Sequence, residues 1–179
     1  MPFPQVFAGQ VLTADVVNAT RKRLVVQTAD QVLTNQATDV DTEIIIPVEA
    51  GAVYWFECLI SYSAVSAANS ALTWSWDAPT GTALARFTQS YVAQPPTGSN
   101  TGSAIIQRRP ANTTGIPAGG TDASSPPTNF HTAYDRGTIS VGGLSGNVVL
   151  RVRQAGTGSS NETILRGGNQ TRCIYERIL

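Results

Sequence analysis

The sequence predicts an all-β protein: a jelly-roll-like β-sandwich with an N-terminal arm and one short helix. Three observations lead there. Ala52–Tyr62 (Ala-Val-Tyr-Trp-Phe-Glu-Cys-Leu-Ile-Ser-Tyr) concentrates aromatic and aliphatic side chains, the composition of a buried strand. Leu72, Trp74 and Trp76 alternate with Thr73 and Ser75, and Val148, Leu150 and Val152 alternate with Val149, Arg151 and Arg153, the period of a strand with one face inside. Turn-forming Gly, Pro, Ser and Asn break these segments about every ten residues, as in sandwiches and jelly rolls.

Taken in order, residues 1–11 form an extended arm, because Pro2 and Pro4 disfavour both a helix and a central strand. A short helix follows. Thr13 can cap it, Asp15 suits its first turn, and Leu12, Val16, Thr20 and Leu24 make one narrow apolar stripe. Arg21, Lys22 and Arg23 fall in its last turn, where cations are favoured. A helix this short needs a docking partner, so residues 1–24 are assigned to an arm and attachment helix, with Leu12, Val16 and Leu24 as the attachment residues. Residues 25–179 are assigned to the β-domain. Its strands are expected at Leu24–Gln27, Glu43–Val48, Val53–Tyr62, Ala71–Trp76, Thr82–Phe87, Ala104–Gln107, Thr138–Val141, Val148–Arg153, Thr163–Leu165 and Arg172–Leu179. The Pro/Gly/Thr-rich stretch 93–129 is too long for an ordinary connection and is expected to be a functional or partner-ordered loop.

Composition narrows the function classes. The 179 residues are enough for one domain with a real core. Charged residues make up 13%, against an average of about 25%, and the twelve basic and twelve acidic residues cancel. That balance gives no footprint for nucleic acid or for an anionic membrane and favours association. No apolar run is long enough to cross a bilayer as a helix. No signal-peptide pattern opens the sequence, so synthesis in a cytoplasm without export is expected. Cys58 and Cys173 lie in apolar strand segments and are expected to be buried free thiols, with a disulfide between them as the less favoured reading.

No constellation of reactive residues stands out. His131 is the single histidine, with Asp135 four positions on, but no nucleophile elbow accompanies them. Asp39, Asp41 and Glu43 alternate and would share one strand face, yet they lack the spacing of a calcium loop. Glu57 alternates with Trp55 and Leu59, which assigns it to a subunit interface or to an arginine partner. Aromatic residues in strands belong by default to the core. The alternative is an exposed sugar-stacking platform drawn from Tyr54, Trp55, Tyr62, Trp74 and Trp76, with Trp74 and Trp76 as the contact residues. No catalytic residue, metal site or cofactor is assigned.

The segment Phe7-Ala-Gly9-Gln-Val-Leu12-Thr13-Ala14-Asp15-Val-Val-Asn18 resembles the opening of β-rich virion proteins from tailed bacteriophages of actinobacteria. Val26-Gln-Thr28-Ala29-Asp30-Gln31, the run Glu43-Ile-Ile-Ile-Pro-Val-Glu-Ala-Gly51-Ala-Val-Tyr54, and Gly137–Leu150 are similar to the same group. The resemblance implies a trimeric jelly roll on a virion, without enzymatic activity, contacting other tail or capsid proteins. A tail-tip or tail-fibre (minor tail) role is the primary expectation. A capsid decoration protein and a carbohydrate-binding adhesin contacting the host envelope are the alternatives.

Overall fold

The computed structural model describes residues 8–9, 11, 13, 21–65, 70–91, 105–108, 115–118, 127, 130–155, 158 and 160–179. Twelve strands run in chain order: β1 (Arg23–Val26), β2 (Gln31–Leu33), β3 (Val40–Val48), β4 (Val53–Ala64), β5 (Leu72–Asp77), β6 (Ala83–Tyr91), β7 (Ile105–Arg108), β8 (Ile116–Pro117), β9 (His131–Ser140), β10 (Gly146–Gln154), β11 (Thr163–Leu165) and β12 (Arg172–Arg177). They form an eight-stranded sheet ordered β1-β12-β4-β9-β6-β7, with β11 and β2 added off β4, and a four-stranded sheet ordered β3-β10-β5-β8.

The pairing is that of a jelly roll. β1 pairs β12, β3 pairs β10, β4 pairs β9 and β5 pairs β8, all antiparallel. These are nested pairs, as if one long hairpin had been rolled so that successive pairs fall in alternate sheets. β6 and β7 are an insertion near the tip of that hairpin, and they widen the larger sheet beyond β9. At the other end, Val53 exchanges backbone hydrogen bonds with Ile178 and Leu179, tying the C-terminal residues to β4.

The core lies between the sheets. β3 buries Ile44, Ile46 and Val48, and β4 buries Tyr54, Phe56, Cys58, Ile60 and Tyr62. β10 buries Val148, Leu150 and Val152. This is the alternation read from the sequence, because each strand turns one face to the facing sheet. Phe56 meets Trp76 edge-on across the interior, with centroids 5.2 Å apart. Cys58 and Cys173 are buried and unbridged, directly opposite each other on β4 and β12. Burial is the main cause that pushes the Cys58 thiol well above its ordinary value.

A charged cluster sits in the middle of this core. On the inner face of the larger sheet, Cys173, Cys58, Asp135 and Thr88 form one cross-strand row over β12, β4, β9 and β6. Asp135 and Arg86 are both buried, and Arg86 Nη2 lies 2.5 Å from Asp135 Oδ2. Arg86 Nε donates to the same carboxylate at 3.1 and 3.3 Å. From the opposite sheet, the indole N–H groups of Trp74 and Trp76 each donate to Asp135 Oδ2 at 2.9 Å. Gly137 lets the strands carrying this pair close up, since a Cβ there would lie 1.9 Å from the Ala85 carbonyl oxygen. A second polar hub, the buried Gln154, donates to Leu33 O, Asn161 O and Thr163 Oγ1, and accepts from the Gln36 amide.

Three expectations change. Arg23 and Leu24 belong to β1, paired with Tyr175 and Ile174, and not to the last turn of a helix. Their β-branched continuation Val25-Val26 finds an edge position beside β12, and that pairing overrides the local helical pattern. Leu12 and Val16 lie outside the described residues. β9 starts at His131 and not at Thr138, because its inward positions carry Ala133, Asp135 and Gly137 in place of large apolar residues. β2 and β8 are short pairings that the pattern missed.

Removing Asp135 takes a carboxylate acceptor from a buried guanidinium and from two indole donors. Asp135→Ala is expected to cost about 3–5 kcal/mol, read as a fall in the urea midpoint. An unchanged midpoint would refute the role given to this carboxylate.

Candidate functional site

The outer faces of the two sheets differ in kind. On the smaller sheet, Arg151 lies 2.6 Å from Asp41 and 3.0 Å from Asp77, and Arg153 lies 3.2 Å from Asp39. Ser75 Oγ donates to Asp39 at 2.9 Å. The hydrogen bond to Asp41 is the main cause that raises the Arg151 pKa. Glu43 accepts from the hydroxyl and amide of Thr28, which hold its carboxyl below the usual value. The alternating carboxylates Asp39, Asp41 and Glu43 therefore have arginine and threonine partners. Among the described residues no group of three acidic, histidine or cysteine side chains is placed to hold a metal. The result is a surface that is ion-paired apart from Ile45, which is 38% exposed on β3.

The larger sheet presents the opposite character. Its outward side chains form registered rows across β1, β12, β4, β9 and β6. One row reads Leu24, Ile174, Glu57, Arg136, Phe87. The next reads Val26, Arg172, Leu59, Tyr134, Gln89. On the other side lie Glu176, Trp55, Thr138 and Ala85. Leu24 is 59% exposed, Ile174 42%, Trp55 38% and Tyr134 37%. Large apolar side chains left on a sheet face in this density make it the candidate interaction surface. An open groove of about 660 Å³ runs along it, lined by Trp55, Phe87, Arg136 and Thr138 among others. The Arg136 guanidinium lies over the Phe87 ring, 5.1 Å from its centroid. Glu57 faces Arg136 in register, yet neither belongs to any ion pair among the described residues.

The other residues singled out from the sequence fall elsewhere. Trp74 and Trp76 are 0% and 1% exposed. They cannot stack on a sugar, because the four-stranded sheet points them inward and Asp135 takes their N–H groups; Trp55 is the tryptophan at the surface. His131 and Asp135 share β9, and four residues of strand separate them by about 13 Å. His131 lies against Tyr62, ring centroids 5.7 Å apart, so the two residues do not form a dyad. Leu24 is exposed on the apolar face, held there by a strand. The sequence carried one signal for this face, the alternation of Trp55, Glu57 and Leu59. It gave none for Tyr134, Arg136 or Phe87, since their outward direction depends on the inward charge of Asp135 and Arg86.

A polar clamp lies at one end of the larger sheet. Asp30 accepts from the Gly167 amide at 2.7 Å and from Arg166 Nη1 at 2.9 Å. Arg166 also donates to Ser63 Oγ and Pro127 O, and it covers the Phe130 ring at 4.7 Å. It therefore joins the turn after β1, the segment before β9 and the turn after β11.

No protein-family model and no curated protein matches this chain. Among solved structures, it is similar to a chain of rhinovirus-B5 at 10% identity and a TM-score of 0.28, over 93% of this chain and 84% of that one. It is also similar to a chain of the infectious bursal disease virus Gt strain, at 9% identity and a TM-score of 0.25, over 99% of this chain and 46% of that one. A third is the infectious bursal disease virus VP2 subviral particle, at 14% identity and a TM-score of 0.21, over 100% of this chain and 42% of that one. The chain thus spans under half the length of both bursal disease virus proteins. Superpositions this loose transfer no residue roles and no activity.

Two predictions follow from this placement of side chains. Trp74→Ala should cost about 3–5 kcal/mol, while Trp55→Ala should cost about 1 kcal/mol or less, both by chemical denaturation; equal losses would contradict the assignment of inside and outside. The Gly167 amide first, then Arg166, holds the Asp30 carboxyl below its ordinary 3.8, with burial opposing. A depressed folded-state pKa adds stability that is present above 3.8 and is lost as pH falls through the lower folded value. Asp30→Asn should therefore flatten the acid limb of a stability–pH curve measured against the parent protein.

Proposed function

We propose that this chain is a non-enzymatic structural component of a tailed-phage virion, a tail-tip or fibre protein that works by self-assembly and docking. The observation that carries the reading is the asymmetry of the sandwich. One outer face is mostly ion-paired, with Ile45 exposed among its charges, and the other leaves Leu24, Ile174, Trp55 and Tyr134 uncovered. A protein acting alone gains nothing from such a face, whereas a component of an assembly buries it. The jelly-roll pairing and the sequence resemblance to virion proteins of actinobacterial phages support the same reading. The reactive residue types are absorbed by the fold: Asp135 by Arg86 and the indoles, and Asp39, Asp41 and Glu43 by Arg151, Arg153 and Thr28.

Labelled electron microscopy of phage particles tests the proposal. A few copies at the tail tip are expected. Hundreds of copies over the shell would instead make it a decoration protein, and absence from the particle would overturn the virion role.

A further inference from the structure

We infer that the outer face of the larger sheet binds a second copy of this chain, face to face about a two-fold axis that runs between β4 and β9, parallel to them. This rests on the assembly reading above and specifies the partner of that same face. Charge and register both favour this partner. In the central row, Glu57 on β4 and Arg136 on β9 stand side by side, flanked by Ile174 on β12 and Phe87 on β6. A two-fold axis between the central strands exchanges left and right while keeping each row level. Glu57 of one copy then meets Arg136 of the other, twice, and Ile174 meets Phe87, twice.

The neighbouring rows satisfy the same operation. Leu59 comes opposite Tyr134, and Arg172 opposite Gln89; on the other side Trp55 comes opposite Thr138, and Glu176 opposite Ala85. No row sets like charges against each other. A self-complementary patch of this kind is the signature of an isologous contact. A three-fold ring would bring this patch against a different surface and would leave the central charges without reciprocal partners. The size is also suitable. β1, β12, β4, β9 and β6 have 4, 6, 12, 10 and 9 residues, and at about 3.3 Å along and about 4.8 Å across the strands they cover roughly 650 Å², within the ~600–1,000 Å² per partner of specific interfaces. The two sheets would pack about 10 Å apart, as in the aligned sandwiches within single proteins. The paired charges at the centre give register and partner choice, while the apolar rows give affinity.

Sedimentation velocity of the full chain over a concentration series tests the inference. The parent protein is expected to be a dimer at micromolar concentration. Glu57→Arg and Arg136→Glu should each weaken the dimer by at least ten-fold, and the double exchange should restore it, because it reverses both ends of each contact. Thermal unfolding of each variant, together with Ile174→Ser as a purely apolar disruption, separates loss of pairing from loss of fold. A parent that stays monomeric at every concentration, or a trimer indifferent to the charge exchanges, overturns the inference. A monomer that still enters particles would end the two-fold pairing and leave the virion role standing. A charge-sensitive dimer that is absent from particles would do the reverse.

Discussion

One carboxylate holds the two sheets in register. Asp135 sits on β9 of the larger sheet and receives Arg86 from the adjacent strand and both indoles of β5 from the facing sheet. A carboxylate in an apolar interior is costly unless every lone pair is used, so the position of β5 over β9 is fixed by where its two N–H groups can reach. The pair need not add stability over a well-packed apolar replacement. What it adds is specificity, because sliding β5 by one strand step would turn Trp74 and Trp76 away from the acceptor. The aromatic packing around it, including Phe56 on Trp76, follows from that placement.

The same inward charge shapes the outside. Successive side chains of a strand point to opposite faces. Once Asp135 points in, Tyr134 and Arg136 must point out, and once Arg86 points in, Phe87 must point out. The core cluster therefore fixes part of the exposed apolar surface. The groove beside Arg136 and Phe87 is the outer side of the β6–β9 pairing whose inner side is the buried ion pair. Among the described residues, the smaller sheet has no comparable inward charge. Its outward positions carry Asp39, Asp41, Arg151 and Arg153, which neutralise one another in water.

Where inward positions are large and apolar, the fold could be read in advance. β4, β5 and β10 alternate cleanly, and their expected limits fall within two residues of those observed. β9 could not be read that way, because Ala133, Asp135 and Gly137 reverse the usual sense of the pattern and make a central strand look like a loop. Leu24 carried two expectations, the end of a helical stripe and the start of a strand, and the strand is the one observed. Its four-residue spacing with Leu12 and Val16 fits a helix, yet β12 offers Arg23–Val26 a ladder of backbone hydrogen bonds. The candidate face was legible only at Trp55, Glu57 and Leu59, whose alternation needs no knowledge of the partner strand.

By itself, then, the sequence determined the fold class, the strand-forming segments with apolar inner faces, the burial of both cysteines, and the lack of net charge. These are local properties, set by composition and period. Only the tertiary structure decided which tryptophan reaches solvent, which charges are buried, and which residues line up across β1, β12, β4, β9 and β6. Those properties depend on register between strands far apart in the chain, and register is set by long-range packing that no local window contains.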